Sequence, residues 1–247
     1  MLAAMGESAA AQSSTRQTRI YRLTFYNMHM GTQQARVNEF IASQMPLLTK
    51  SIAGPLGVFN VFLGDHLPGV VTLAGYPSLA EMEASTRKWM SDPGYQKVLA
   101  ALEQGSEPPY DSADSILLEA TDYSPEIVPL KEKPKPSRIF ELRVYHSPTQ
   151  RQAGLVHERF SGAEIKIFHR SGIHPILYSR TLAGPNMPNL AYLTPFSTLA
   201  DREKAWDAFG ADQEWAKVRK ESIERGGEIV KDIKITFLRP TDFSPIQ

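Results

Sequence analysis

Apolar and polar positions alternate along residues 138–145, Arg-Ile-Phe-Glu-Leu-Arg-Val-Tyr, with Phe140, Leu142 and Val144 on one side and Glu141, Arg143 and Tyr145 on the other. That period predicts a half-buried strand. Beyond it, Val156, Phe160, Ala163 and Ile167 fall at spacings of four, three and four, which predicts one buried helix face across residues 149–171, ended by Gly172. Residues 173–183 alternate again, Gly184-Pro185-Asn186 turns the chain, and residues 189–196 return as a partner strand. Ser197 or Thr198 can cap a further helix that carries Leu199, Trp206 and Phe209 inward. It breaks at residues 210–212 and resumes through Trp215 and Val218, and a last strand is predicted at 228–238, stopped by Pro240.

The first half of the chain repeats this order. A strand at 19–27 precedes a helix at 32–52, a hairpin of strands 56–63 and 70–76, a helical stretch at 78–104 broken by Asp92-Pro93-Gly94, and a strand at 115–121. A displacement of about 120 positions brings the halves into register, as a tandem duplication requires. Ile20, Leu23 and Tyr26 meet Ile139, Leu142 and Tyr145, and Val37, Ile41 and Leu48 meet Val156, Phe160 and Ile167. Thr121-Asp122-Tyr123-Ser124-Pro125 meets Thr241-Asp242-Phe243-Ser244-Pro245. Pro129, Pro134 and Pro136 mark residues 126–137 as a semi-rigid linker. The expected organisation is a tail at 1–18, a first domain at 19–125 and a second at 138–247. The order βαββαβ in each predicts α+β architecture: two tandem ferredoxin-like domains pairing into a pseudo-dimeric α/β barrel within one chain. If the exposed sheet faces did not meet within the chain, further homo-oligomerisation would have to cover them.

Composition removes several classes of function. The 27 basic and 27 acidic residues balance, so nothing steers the chain toward nucleic acid. With no cysteine there is no disulfide, thiolate metal site or thiol nucleophile. No apolar run is long enough for a transmembrane segment. Ala9-Ala10-Ala11 resembles a signal-peptidase site, although residues 1–11 lack a basic start and a full apolar stretch, so a truncated signal peptide and a plain cytoplasmic tail both stay open.

Glu141-Leu142-Arg143-Val144-Tyr145, Leu199-Ala200-Asp201-Arg202 with Asp212-Gln213-Glu214-Trp215, and the closing Leu238-Arg239-Pro240 resemble motifs of the NIPSNAP family, within the dimeric α/β-barrel superfamily. The second domain resembles it along its length. The first departs from it, with Arg22 and Thr24 where the family has glutamate and arginine. The resemblance implies the fold, and implies little chemistry: animal members are linked to mitochondria and vesicle traffic, and the wider superfamily includes small monooxygenases and haem-handling proteins.

With Phe140, Leu142 and Val144 assigned to the helix side, Glu141, Arg143, Tyr145 and His146 would face the barrel interior, opposite Arg22, Thr24, Tyr26 and His29. Those eight are the ligand-binding candidates, since carboxylate, guanidinium, phenol and imidazole groups can bind or shuttle protons to a small polar molecule. A paired Glu141–Arg143 network that only fixes the interface explains the same residues. The six histidines show no metal-ligand spacing, and no cofactor motif is present, so neither metal nor cofactor is expected. The expected role is binding of a small ligand or a protein partner. The alternative is a cofactor-free oxygenase or isomerase acting on a small, aromatic molecule in the barrel. Any site is expected to be asymmetric and supplied mainly by the second domain.

Overall fold

The computed structural model describes residues 18–247; the expected signal-peptide remnant at 1–11 lies outside them. The first half runs β1 (Ile20–Asn27), α1 (Gln33–Ser51), β2 (Leu56–Leu63), β3 (Gly69–Tyr76), α2 (Leu79–Met90), α3 (Pro93–Glu103) and β4 (Ser112–Ala120). The second runs β5 (Ile139–His146), α4 (Gln150–Arg159), a π-helical turn (Phe160–Glu164), α5 (Ile165–Ser171), β6 (Leu177–Ala183), β7 (Asn189–Phe196), α6 (Leu199–Gly210), α7 (Gln213–Gly226) and β8 (Asp232–Pro240). Helix starts repeat between the halves because the caps do. Ser78 and Thr198 accept from the third residue on, at 3.1 and 3.0 Å, and Asp92 and Asp212 do the same at 2.9 Å each. Each such cap stabilises by about 1 kcal/mol. Gly172 ends α5 in the left-handed conformation, φ 90°, as its position predicts.

Two strands begin later than the alternation suggests. Pro175 has no N–H to give a ladder, and β6 starts only at Leu177. After α7 stops at Gly226, residues 227–231 are spent crossing back to the sheet, where the Lys231 N–H reaches the His146 carbonyl at 2.8 Å.

The eight strands close into one antiparallel barrel in the order β1-β3-β2-β8-β5-β7-β6-β4. Each half supplies four neighbouring strands, and the seams are β2 with β8 and β4 with β6. Closure leaves no free sheet edge. The repeated pentapeptides hold the seams reciprocally. After β4, Ser124 Oγ accepts from Tyr178 N at 2.9 Å, and Tyr123 packs among the helix-side residues of the second half. After β8, Ser244 Oγ accepts from Val58 N at 3.0 Å, and Phe243 packs into the first half. Glu119 also joins the halves, between Arg19 at 2.9 Å and Arg180 at 2.8 Å.

Three apolar clusters result. One lines the barrel interior and includes Tyr21, Leu23, Phe59, Phe140, Leu142, Leu193 and Leu238. The others lie between the barrel wall and the helices, one for each half.

Candidate functional site

The barrel interior is unequal along its axis. At one end Phe59 and Phe140 meet edge to face at 5.1 Å, and Tyr21, Leu73, Leu193, Ile127 and Ile246 complete a solid plug. The other end, where Asn27 pairs with Gly69 and Ser112 and where His146 pairs with Asn189 and Asp232, is hollow. A cavity of about 560 Å3 opens there, walled by Leu23, Phe25, Val61, Ile116, Leu142 and Val144. Ala191 and Thr181 leave room that a larger pair would fill, which is why the void persists. Polar groups gather at its mouth. Asn27 Nδ2 donates to Asp114 Oδ2 at 2.7 Å and to Ser112 at 3.0 Å, and Lys234 lies 4.0 Å from Asp65. His66 and Asn186 also line it. Around the same end Met30, Leu63, Leu67 and Met187 are exposed.

The expected orientation of the first strand of each half is reversed. Phe140, Leu142 and Val144 point into the barrel, while Glu141 and Arg143 lie beneath α6 and Tyr145 beneath the π-turn. Alternation separates two faces without saying which is inside. A closed barrel interior is ringed by strands and holds no helix to answer a charge, so it takes the apolar set. The outer face meets helices that can supply partners. Glu141, with no exposed surface, takes Arg143 Nη1 at 3.1 Å, Arg202 Nη2 at 2.9 Å, Arg202 Nε at 3.2 Å and Trp206 Nε1 at 3.0 Å. The Trp206 ring lies 4.0 Å from the Arg143 guanidinium carbon and 5.7 Å from that of Arg202. Two cations, one carboxylate and an indole therefore form a buried set in which the carboxylate is fully answered, while Arg143 Nε stays without a hydrogen-bond partner among the described residues.

The other candidates are spread around the fold. Tyr192 donates to the Tyr145 hydroxyl at 2.8 Å. Arg22 reaches Thr86 at 3.4 Å, and Thr24 bonds Ser115 at 3.0 Å, both on the helix side. Of the eight, Tyr26 alone lines the cavity, at its rim. His146 Nδ1 lies 3.2 Å from the Asn186 carbonyl beside the mouth. His29 lies outside the barrel between Asp111 at 2.8 Å and Glu107 at 3.3 Å, and the hydrogen bond that its ring gives to Asp111 raises its pKa. Tyrosine pKa values on the helix side are also raised, Tyr145 and Tyr26 chiefly by burial. No group of three metal-ligating side chains occurs among the described residues, and none of their helices is long and apolar enough to cross a membrane.

The sequence reading missed Asp65, Asp114 and Lys234. Each stands at a strand end or in a hairpin, with no local motif, and only closure of the barrel brings them together. Arg202 carried a signal, its place in Leu-Ala-Asp-Arg, but nothing in the chain tied it to Glu141.

A sequence search of curated proteins gives no match. Among solved structures, the chain is similar to an anthrone oxidase-like protein: 11% identical, TM-score 0.57, over 92% of this chain and 93% of that one. A protein assigned as a monooxygenase from Fusobacterium nucleatum subsp. nucleatum ATCC 25586 is 9% identical, with TM-score 0.54 over 90% of this chain and 92% of that one. Identities so low show the shared barrel fold alone. A NIPSNAP family protein from Agrobacterium tumefaciens str. C58 is 22% identical over 50% of this chain and 100% of its own, with TM-score 0.39. The NIPSNAP family model matches residues 21–125 and again residues 140–245, one match for each half of the barrel. The chain belongs to the NIPSNAP family.

Proposed function

We propose that the protein is a small-ligand-binding module whose site is the hollow end of the barrel. The observation that carries this reading is a cavity of about 560 Å3 with apolar walls and a few polar groups confined to its mouth. That size and division of surface suit a drug-sized organic molecule. The ligand class is mainly apolar, with one uncharged polar end. Asn27, Asn186, Asp114 and Lys234 supply both donors and acceptors at the rim, and opposite charges stand close together there. Exposed Leu63, Leu67 and Met187 give an apolar ligand a surface to cross on its way in.

N-phenyl-1-naphthylamine, a neutral fluorescent molecule, tests the reading. Saturable one-to-one binding is expected. Thr236→Phe, which pushes a ring into the cavity, is expected to weaken it at least tenfold, with an unchanged urea midpoint. Leu79→Gln, on the exposed face of α2, serves as the control and leaves binding unaltered. Absence of saturation, or full binding by Thr236→Phe, overturns the proposal. Oxygen uptake with 1-naphthol would instead support the competing reading, a cofactor-free oxygenase with Asp114 as the base lining the cavity.

A further inference from the structure

A second cavity lies outside the barrel, between α7 and the approach to β8, with a volume of about 350 Å3. Its walls are Trp215, Ile223, Ile229 and Val230, and its floor is Tyr145, Arg159 and Glu164. The π-turn at Phe160–Glu164 has one extra residue per turn and ends with Glu164 against the sheet, 1% exposed. Arg159 Nε donates to Glu164 Oε2 at 2.7 Å, and its Nη1 donates to Ser222 Oγ at 3.2 Å. Its guanidinium carbon stands 5.0 Å from the Trp215 ring centre. Nη2 has no hydrogen-bond partner among the described residues.

The first half fills the equivalent space. Phe40 and Met45 occupy the positions of Arg159 and Glu164, and Tyr110 occupies that of Val230. Phe40 packs on Tyr95 at 5.6 Å, and Tyr26 packs on Tyr110 at 5.1 Å. The charges at this place are therefore peculiar to the second half, and rings stand there in the first.

We propose that this pocket binds a small aromatic carboxylate, with its anionic oxygens on Arg159 and Arg219 and its ring against Trp215 and Ile223. A guanidinium presents paired donors that match a carboxylate, and the tryptophan beside it supplies a flat apolar wall. Charge favours an anion once Glu164 holds its proton: the lining then offers Arg159, Arg219 and Lys231 against Glu228 and Asp232. Burial raises the Glu164 carboxyl to about 7, against the pull of Arg159. The groups around it are Arg159 on α4, Tyr145 and Arg143 on β5, Tyr178 on β6, Tyr192 on β7 and Tyr123 after β4. Arg219 and Ser222 on α7 and Glu228, Lys231 and Asp232 before and at the start of β8 complete the surroundings. An anion seated beside Glu164 favours its neutral form, so binding takes up a proton and weakens as pH rises through 7.

Titration calorimetry of the full chain with benzoate, in two buffers of different ionisation heat, tests this. One-to-one binding is expected at pH 6, falling about tenfold by pH 8 with proton uptake near pH 7. Glu164→Gln is expected to keep the affinity and lose the pH dependence. Arg219→Gln, an exposed change that spares the fold, is expected to weaken binding several-fold. Val230→Tyr, which installs the ring that the first half has, is expected to abolish it. Thr236→Phe, which blocks the barrel cavity, is expected to leave benzoate binding unchanged, so the two sites are told apart. No binding at pH 6, a flat pH profile in the unaltered chain, or full binding by Val230→Tyr overturns the proposal. Loss of binding in Thr236→Phe does so too, because it would place benzoate in the barrel.

Discussion

Where the second half buries Glu141 under α6, the first half has Arg22 under α2; where the second has Trp206, the first has Thr86. The backbone plan is one, and the filling differs. Under the helices of the first half, Phe40, Met45, Tyr95, Trp89 and Tyr110 pack mainly as rings and a thioether. Under those of the second, Glu141, Arg143, Arg202, Arg159 and Glu164 are threaded through an equally aromatic cluster. A duplicated fold thus tolerates either solution, provided each buried charge finds a partner nearby, from strand and helices for Glu141 and from helices alone for Glu164. The charged solution is the more demanding. Its members depend on one another, whereas ring packing loses its contribution piece by piece.

The largest expected effect breaks that dependence. Arg202→Met takes away two donors from a carboxylate with no exposed surface and should cost about 3–5 kcal/mol in urea unfolding. Arg22→Met, the corresponding polar change in the first half, should cost about 1 kcal/mol, because Arg22 meets neutral partners, the Thr86 hydroxyl at 3.4 Å, the Trp89 ring at 5.9 Å and Tyr76, and no carboxylate among the described residues. Similar losses from both would remove the asymmetry.

Glu164 sharpens the comparison through pH. Its carboxyl titrates near 4.5 when unfolded and at about 7 when folded. The folded state therefore holds the proton longer. The stability associated with it is fully present below pH 4.5, drains away as pH rises to 7, and changes no further above that. Over this window Glu164→Gln should remove a pH-dependent loss of roughly 3 kcal/mol, read as the difference between urea midpoints of the two proteins at each pH. Met45, its counterpart, has no proton to exchange, so the first half contributes nothing to this curve.

The smallest effect belongs to a feature that the halves share. Ser124→Ala and Ser244→Ala each remove a side-chain acceptor from a strand N–H across a seam, and each should cost about 1 kcal/mol. Equal losses are expected, since the two latches are reciprocal. A marked inequality would mean that one seam closes the barrel more strongly than the other.

Much of the architecture was legible along the chain. Period-two runs at Ile20–Asn27 and Ile139–His146, Gly172 after a helical face, Thr198 as a cap, and the breaks at Asp92 and Asp212 mark strands and helices because those signals act within a few residues. The repeated pentapeptide was visible as a stop after the last strand. Its work as a latch was not, because Tyr178 and Val58 stand in the opposite half. The candidate site was legible only as composition. Glu141 and Arg143 could be expected to pair with each other, but their other partners, Arg202 and Trp206, are set by how α6 crosses the barrel wall.

What the sequence by itself determined is the set of elements, their duplication and the existence of an apolar and a polar face on each leading strand. Those follow from local geometry and from spacing. Which face looks inward was decided by the tertiary structure, when β2 joined β8 and β4 joined β6. Closure turned one side of the sheet into an interior walled by strands alone, where apolar groups are buried at least cost, and left the other to helices able to answer its charges. The two cavities were decided there as well. A void is the difference between the volume that a closed wall encloses and the side chains that reach into it. Small residues such as Ala191 and Val230 acquire that meaning only once the surrounding strands and helices are in place.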